Sequence, residues 1–268
     1  KKNLVVIMLR GGMDGLCALP IKGDKNFEKL RSKINLDRTL QLTSDFDLHP
    51  ALETFKQLWD QNLGAAVHAT NIPYTGRSHF DGQNLMETGG KIPYQEKTGW
   101  LGRGMNIAGL TGNGLALALP MPLLIRGVPM NNNYYPVGDR LPSNATLGLI
   151  EQAFKEYDEK LLSENLKIVM TRDLKNTGSR KNWSLAANAG EELSKSNGPR
   201  VAVFEIDGFD THAAQGATNG AHADCLSDYD RILKGLKQSM SKDAFDNTLI
   251  VTLTEFGRTI KQNSSNGT

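Results

Sequence analysis

Six consecutive apolar residues near the start of the chain, Leu4-Val5-Val6-Ile7-Met8-Leu9, narrow the choice of folds more than any other feature. A strand with one wet face alternates apolar and polar side chains. An unbroken run rich in β-branched residues instead marks a strand buried on both faces, the situation of a central strand in a parallel sheet. The run stops at Arg10-Gly11-Gly12-Met13-Asp14-Gly15, a turn-rich loop. Residues 63–70, 200–206 and 248–253 have the same strand character. Residues 50–59, a segment beginning near Ser78, and residues 225–240 carry helical spacing, with Pro50 suited to a first helical turn. Strands alternating with helices predict an α/β fold, a doubly wound and mostly parallel sheet with helices on both faces.

Residues 91–198 are less regular. Short strands are expected at 115–119 and 123–125, interrupted by Pro120 and Pro122, with a loop over 130–142 and helices over 147–162 and 183–193. This stretch reads as an inserted or cap segment shaping substrate access within a single domain spanning residues 1–268. The polar tail Gln262-Asn263-Ser264-Ser265-Asn266-Gly267-Thr268 suggests a C-terminally incomplete domain, and Lys1-Lys2-Asn3 runs into the first strand with neither an h-region nor a twin-arginine pair.

Composition removes several classes of function. Lys plus Arg is 31 against 29 for Asp plus Glu, a formal charge of +2, which argues against affinity from a broad basic surface of the kind nucleic-acid binding requires. No run of eighteen apolar residues occurs, so no membrane span is expected. Cys17 and Cys225 lie far apart and fit no C-x-x-C pattern, against a disulfide framework or a thiolate zinc site.

In a parallel sheet the ligand crevice lies beyond the carboxyl ends of the strands. After the four best strands come Asp14; then Thr75, Arg77, Ser78 and His79; then Asp207-Gly208-Phe209-Asp210-Thr211-His212; then Glu255-Phe256-Gly257-Arg258. Carboxylates gathered at one edge repel unless a positive group sits among them, and Asp, Glu and His suit zinc or manganese. Asp14, Asp207, Asp210, His212 and Glu255 are therefore the candidate ligands. Each has a plainer reading as well: Asp14 as a helix cap, Glu255 as the partner of Arg258, and Ser78 as an N-cap with Asp81 three residues on. His49 and His68 read as core or near-core imidazoles rather than ligands. As a nucleophile, Ser78 at a helix N-terminus would gain from the dipole, which favours an anionic oxygen and an incoming phosphate or sulfate.

Six segments then occur in a telling order: 9–16 around Arg10-Gly11-Gly12-Met13-Asp14-Gly15, Leu48-His49-Pro50-Ala51-Leu52, Arg77-Ser78-His79-Phe80-Asp81, Gly99-Trp100-Leu101-Gly102-Arg103, Gly208-Phe209-Asp210-Thr211-His212 and Glu255-Phe256-Gly257-Arg258-Thr259. Together they resemble a family of bacterial exported proteins of unknown function, described as sulfatase-like and twin-arginine-exported and placed near the alkaline phosphatase superfamily. The resemblance implies an alkaline-phosphatase-like fold, a periplasmic location, Asp14 as a first-strand metal ligand, Ser78 as nucleophile with Thr75 as runner-up, and Asp207 with His212 as an Asp-to-His ligand pair. Two departures stand out. Glu255-Phe256-Gly257 replaces an Asp-His-Gly string, and a later Gly-Thr-Asp-His string reaches only Gly267-Thr268.

The combined expectation is a metal-assisted hydrolase of phosphate or sulfate esters, acting on a small molecule or a glycan. One divalent ion would be held by Asp207, His212 and a later His, and a second by Asp14 and Glu255. Arg77 or Arg258 would stabilise developing charge, with a covalent intermediate on Ser78. The rival is an exported binding or scaffold protein on a degenerate phosphatase-like fold, favoured by Phe256 in a ligand position. A dinucleotide enzyme is disfavoured because residues 10–15 lack G-x-G-x-x-G spacing.

Overall fold

The computed structural model of the protein describes residues 1–128, 131–133, 144–156, 164, 166 and 179–268. Two compact units emerge, Lys1–Tyr135 together with Lys181–Thr268, and Pro136–Arg180. The second unit contains a helix, Asn144–Glu156, with Leu147 buried.

The first unit is built on a five-stranded sheet. In chain order the strands are β1 (Asn3–Leu9), β4 (Gly114–Ala116), β5 (Asn132–Asn133), β6 (Val201–Ile206) and β7 (Thr248–Thr254); β2 (Leu40–Gln41) and β3 (Asp47–Leu48) form a separate antiparallel pair. The spatial order is β5-β4-β6-β1-β7, and the pairings within this sheet are parallel. The expected α/β class and mostly parallel sheet are therefore both present, with β1 between β6 and the edge strand β7.

β1 shows why an unbroken apolar run was needed. Successive side chains of a strand point to opposite faces. Val5, Ile7 and Leu9 enter one core with Phe204, while Val6 and Met8 enter a second core on the other face. The first is covered by Glu53–Asp60 (α3), Asn182–Ser194 (α7) and Ala221–Ser239 (α8), the last two packing along each other and contributing Leu185, Ala189, Leu226, Ile232 and Leu236. The second is covered by His79–Thr88 (α4), Trp100–Ile107 (α5) and a 3₁₀ turn at Leu123–Ile125, through Met86, Leu101, Met105, Leu124 and Ile125. A polar residue in β1 would face one of these interiors whichever way it pointed.

Three expectations are corrected. Residues 63–70 form no strand: Leu63 is 62% and Val67 78% exposed. The left-handed backbone of Asn62 (φ 58°) and Ala69 (φ 52°) breaks extension at both ends, and Gly64, Ala65 and Ala66 offer little side chain to bury. His68 accordingly lies outside the core and stacks on Phe46 with ring centres 4.1 Å apart. Residues 123–125 form a 3₁₀ turn after Pro122; their apolar character reflects the burial of Leu124 and Ile125 under α4 and α5, not strand pairing. Within 130–142, expected as loop, Asn132–Asn133 pairs with β4; residues 130 and 134–142 lie outside the described residues, as do 157–162 of the expected 147–162 helix. His49 is fully buried, as expected, with Nε2 3.0 Å from the Ala217 carbonyl. Among the described residues no helix is long and apolar enough to cross a membrane.

Phe204 is 1% exposed at the centre of the first core. Phe204→Ala is expected to cost about 3–5 kcal/mol of stability through lost burial and the cavity left behind. Denaturant unfolding reads this directly, and a loss under about 1 kcal/mol would contradict the packing.

Candidate metal centre at the carboxyl edge

Parallel pairing places three loops side by side. Leu9 is in register with Ile206 on one flank and Thr254 on the other, so the segments after β1, β6 and β7 leave the sheet at one edge. Gly11, at φ 111°, permits their closest approach, because a Cβ there would lie 2.4 Å from the Asp210 backbone nitrogen. Only a glycine tolerates both that backbone geometry and that contact.

The fourth contributor, α4, reaches this edge without a preceding strand. Ser78 is its N-cap and accepts a hydrogen bond from the Asp81 N–H at 3.3 Å, while left-handed Gly89 ends the helix. The reverse half of a capping box is not made: the Ser78 N–H donates to the Tyr74 hydroxyl. Arg10 fixes the helix laterally, donating to Glu87 at 2.8 Å, to Gln83 at 3.1 Å and to Glu205 of β6. Burial works to lower the Arg10 pKa, but Glu87 and Glu205 raise it further and keep the guanidinium charged. Glu87 also accepts from the Leu124 N–H at 2.8 Å, which joins α4 to the 3₁₀ turn.

Glu255 is fully buried directly after β7. Its Oε1 accepts from the Gly11 N–H (2.8 Å), the Gln83 amide (3.0 Å) and His79 Nδ1 (2.9 Å). Burial alone would raise its pKa, but hydrogen bonds from Gln83, His79 and Gly11 outweigh this and hold it below the ordinary carboxylate range. The Phe256 ring lies 4.6 Å from the His79 ring and fixes its plane from one side.

With Nδ1 held, His79 presents Nε2 to Asp210 Oδ1 at 3.2 Å. His212 Nε2 meets the same oxygen at 3.0 Å, while its Nδ1 lies 3.0 Å from the Thr268 carbonyl. Arg258 donates to that oxygen at 2.6 Å and also contacts the His212 ring. Its remaining N–H groups reach the carbonyls of Gly11, Gly12, Phe209 and Thr268. Burial pushes the Asp210 pKa up, but the Arg258 hydrogen bond and the charges of His79, Arg258 and His212 hold it below the usual range. Donor atoms of His79, Asp210 and His212 all lie within 4.8 Å of one another, a set compatible with a divalent cation.

The other residues singled out by sequence fall as follows. Asp14 caps the helix Gly15–Ala18 and is 1% exposed; its carboxylate is gripped by Arg31 (2.5 and 3.1 Å) and by the Gln215 amide (2.8 Å). Asp207 is exposed, as are Thr75 and Arg77, while Ser78 is half-buried. Glu255 pairs with His79, and Arg258 with Asp210, so the two do not pair with each other. Sequence reasoning brought His79 to this edge beside Ser78 but gave it no role among the candidate ligands. Its position immediately after the helix N-cap was a usable signal, since a side chain there faces whatever the helix N-terminus faces. It also missed Arg31, the buried counter-ion of Asp14, which no local pattern marks.

These features define an α/β protein whose polar residues converge at the carboxyl edge of a parallel sheet around a His-Asp-His cluster. Residues 175–268, which hold β6, β7, Asp210, His212, Glu255 and Arg258, match the model of a family described as protein of unknown function (DUF1501). No curated protein and no solved structure matches the chain.

Two outcomes test the framework beneath the site. Arg31→Ala leaves the Asp14 carboxylate buried without its ion pair and is expected to cost about 3–5 kcal/mol, read by thermal or denaturant unfolding. Burial depresses the His222 pKa from 6.5 to about 4, and Nε2 accepts from the Asp14 N–H. Below pH 6.5 the unfolded chain takes up a proton that the folded chain refuses. This group's contribution is therefore full above pH 6.5 and is lost as pH falls toward 4, by about 3 kcal/mol in total. Comparing the pH dependence of unfolding for the wild type and His222→Gln isolates it.

Proposed function

We propose that the chain is a metal-assisted hydrolase of phosphate or sulfate esters, on an alkaline-phosphatase-like variant of the α/β fold and working in the periplasm. The observation that carries this reading is the meeting of the helix N-terminus bearing Ser78 and His79 with Asp210 and His212 from the loop after β6. A helix N-terminus favours an anionic group, and the His-Asp-His cluster supplies donors for a divalent ion.

Each residue then has a task. Ser78 Oγ attacks phosphorus or sulfur, a new bond forms there, and the bond to the ester alcohol breaks. Water cleaves the resulting seryl ester in a second step and restores the hydroxyl; protons released and taken up balance through solvent. Arg77, exposed beside Ser78, meets the non-bridging oxygens of the ester. Arg258, whose N–H groups already face protein acceptors, orients Asp210 and His212. An ion held by His79, Asp210 and His212 would supply Lewis acidity toward the ester oxygen and the attacking hydroxyl. Asp14 takes no part, because Arg31 and Gln215 occupy its oxygens.

The test is a screen of aryl and glycosyl phosphate and sulfate esters with added zinc or manganese. Turnover is expected to fall at least about a thousandfold in Ser78→Ala and in Ser78→Asp. The second variant retains an N-cap and so separates nucleophile from helix stability. Turnover that survives both but is lost in Thr75→Val transfers the nucleophile's role to Thr75. Protein inert on every ester favours the binding or scaffold reading.

A further inference from the structure

We infer that His79, Asp210 and His212 are the ligands of one zinc-class divalent ion, with Glu255 as the buried outer carboxylate that aims His79. This deepens the hydrolase reading and rests on it only for the ion's use in catalysis; binding itself follows from the geometry.

The first argument is the orientation of the two imidazoles. A metal-bound histidine ordinarily donates its second ring N–H to a carboxylate or a backbone carbonyl, which fixes tautomer and direction. Here His79 Nδ1 meets the Glu255 carboxylate at 2.9 Å, and His212 Nδ1 meets the Thr268 carbonyl at 3.0 Å. Both Nε2 atoms are left facing Asp210 Oδ1, at 3.2 and 3.0 Å. Two histidines from segments far apart in the chain are thus held from behind and point at one carboxylate.

The spacing and donor types indicate the class of ion. Zinc–nitrogen and zinc–oxygen bonds of about 2.0–2.1 Å place tetrahedral donors roughly 3.3 Å apart, close to the nitrogen–oxygen separations observed. Two imidazoles and one carboxylate suit zinc and its first-row neighbours. Magnesium and calcium favour sets made wholly of oxygen. Three protein ligands leave a coordination position open, and Asp210 and His212 side chains are 48% and 63% exposed, so that position faces solvent.

The stoichiometry follows from the remaining acids. Asp14 is held by Arg31 and Gln215, and Glu255 is committed to Gly11, Gln83 and His79. Asp207 is exposed outside the cluster.

The experiment is calorimetric titration of the full, chelator-stripped chain with zinc, manganese, magnesium and calcium salts, with no ester present. One zinc per chain is expected, bound at least about a hundredfold more tightly than magnesium or calcium. His79→Ala and His212→Ala should abolish binding, Asp210→Asn should weaken it severely, and Glu255→Gln should weaken it about 10–100-fold. Asp207→Asn should leave it unchanged. Circular dichroism of each variant separates ligand loss from unfolding. Binding that survives His79→Ala and disappears in Asp207→Asn would overturn the assignment, as would two ions per chain or magnesium binding as tightly as zinc. Zinc bound without turnover of any ester would leave this site standing and remove the hydrolase; turnover without zinc binding would remove this site and leave a hydrolase that does not use it.

Discussion

The buried carboxylate of Glu255 holds the carboxyl edge together. One oxygen accepts from the loop after β1, through Gly11, and from α4 twice, through Gln83 and His79. A buried carboxylate survives only where such donors replace water, and here the donors come from the loop after β1 and from α4. Removing the charge would loosen its hold on Gln83 and on the His79 imidazole together. The apolar clusters determine that the sheet forms; this carboxylate determines what stands at its rim.

A second polar centre lies beside it with a different character. Asp14, Arg31, Gln215 and His222 form a closed set in which Arg31 is 1% exposed and His222 fully buried. Nothing in that set faces solvent. His79, Asp210 and His212 are only partly covered. The contrast divides the acids at the edge into those that hold the loops and those left available to a ligand. Arg258 links the two roles, since its guanidinium ties Gly11, Gly12 and Phe209 carbonyls while contacting Asp210 and His212.

Much of this was legible from residue order. The β-branched run at 4–9, the strands near 200 and 248, and the helix expected at 225–240, which begins four residues earlier at Ala221, follow from periodicity, because burial on two faces or one leaves a distinct repeat. Asp210, His212, Glu255 and Arg258 were found because they follow predicted strands. The 63–70 segment misled for the same reason: apolar content resembles a strand whether or not a neighbour pairs with it. Asp14 and Glu255 looked like ligands because sequence shows a carboxylate but not the group facing it.

The amino-acid sequence alone determined the class of fold, the first strand's burial on both faces and the edge at which polar residues collect, since these depend on local patterning and on one general property of parallel sheets. Tertiary structure decided which carboxylate faces which partner. Arg31 neutralises Asp14, His79 claims Glu255, and Asp210 rather than Asp207 joins His212. Electrostatic pairing acts over a few ångströms between residues separated by up to 176 positions along the chain, and no local pattern encodes that distance.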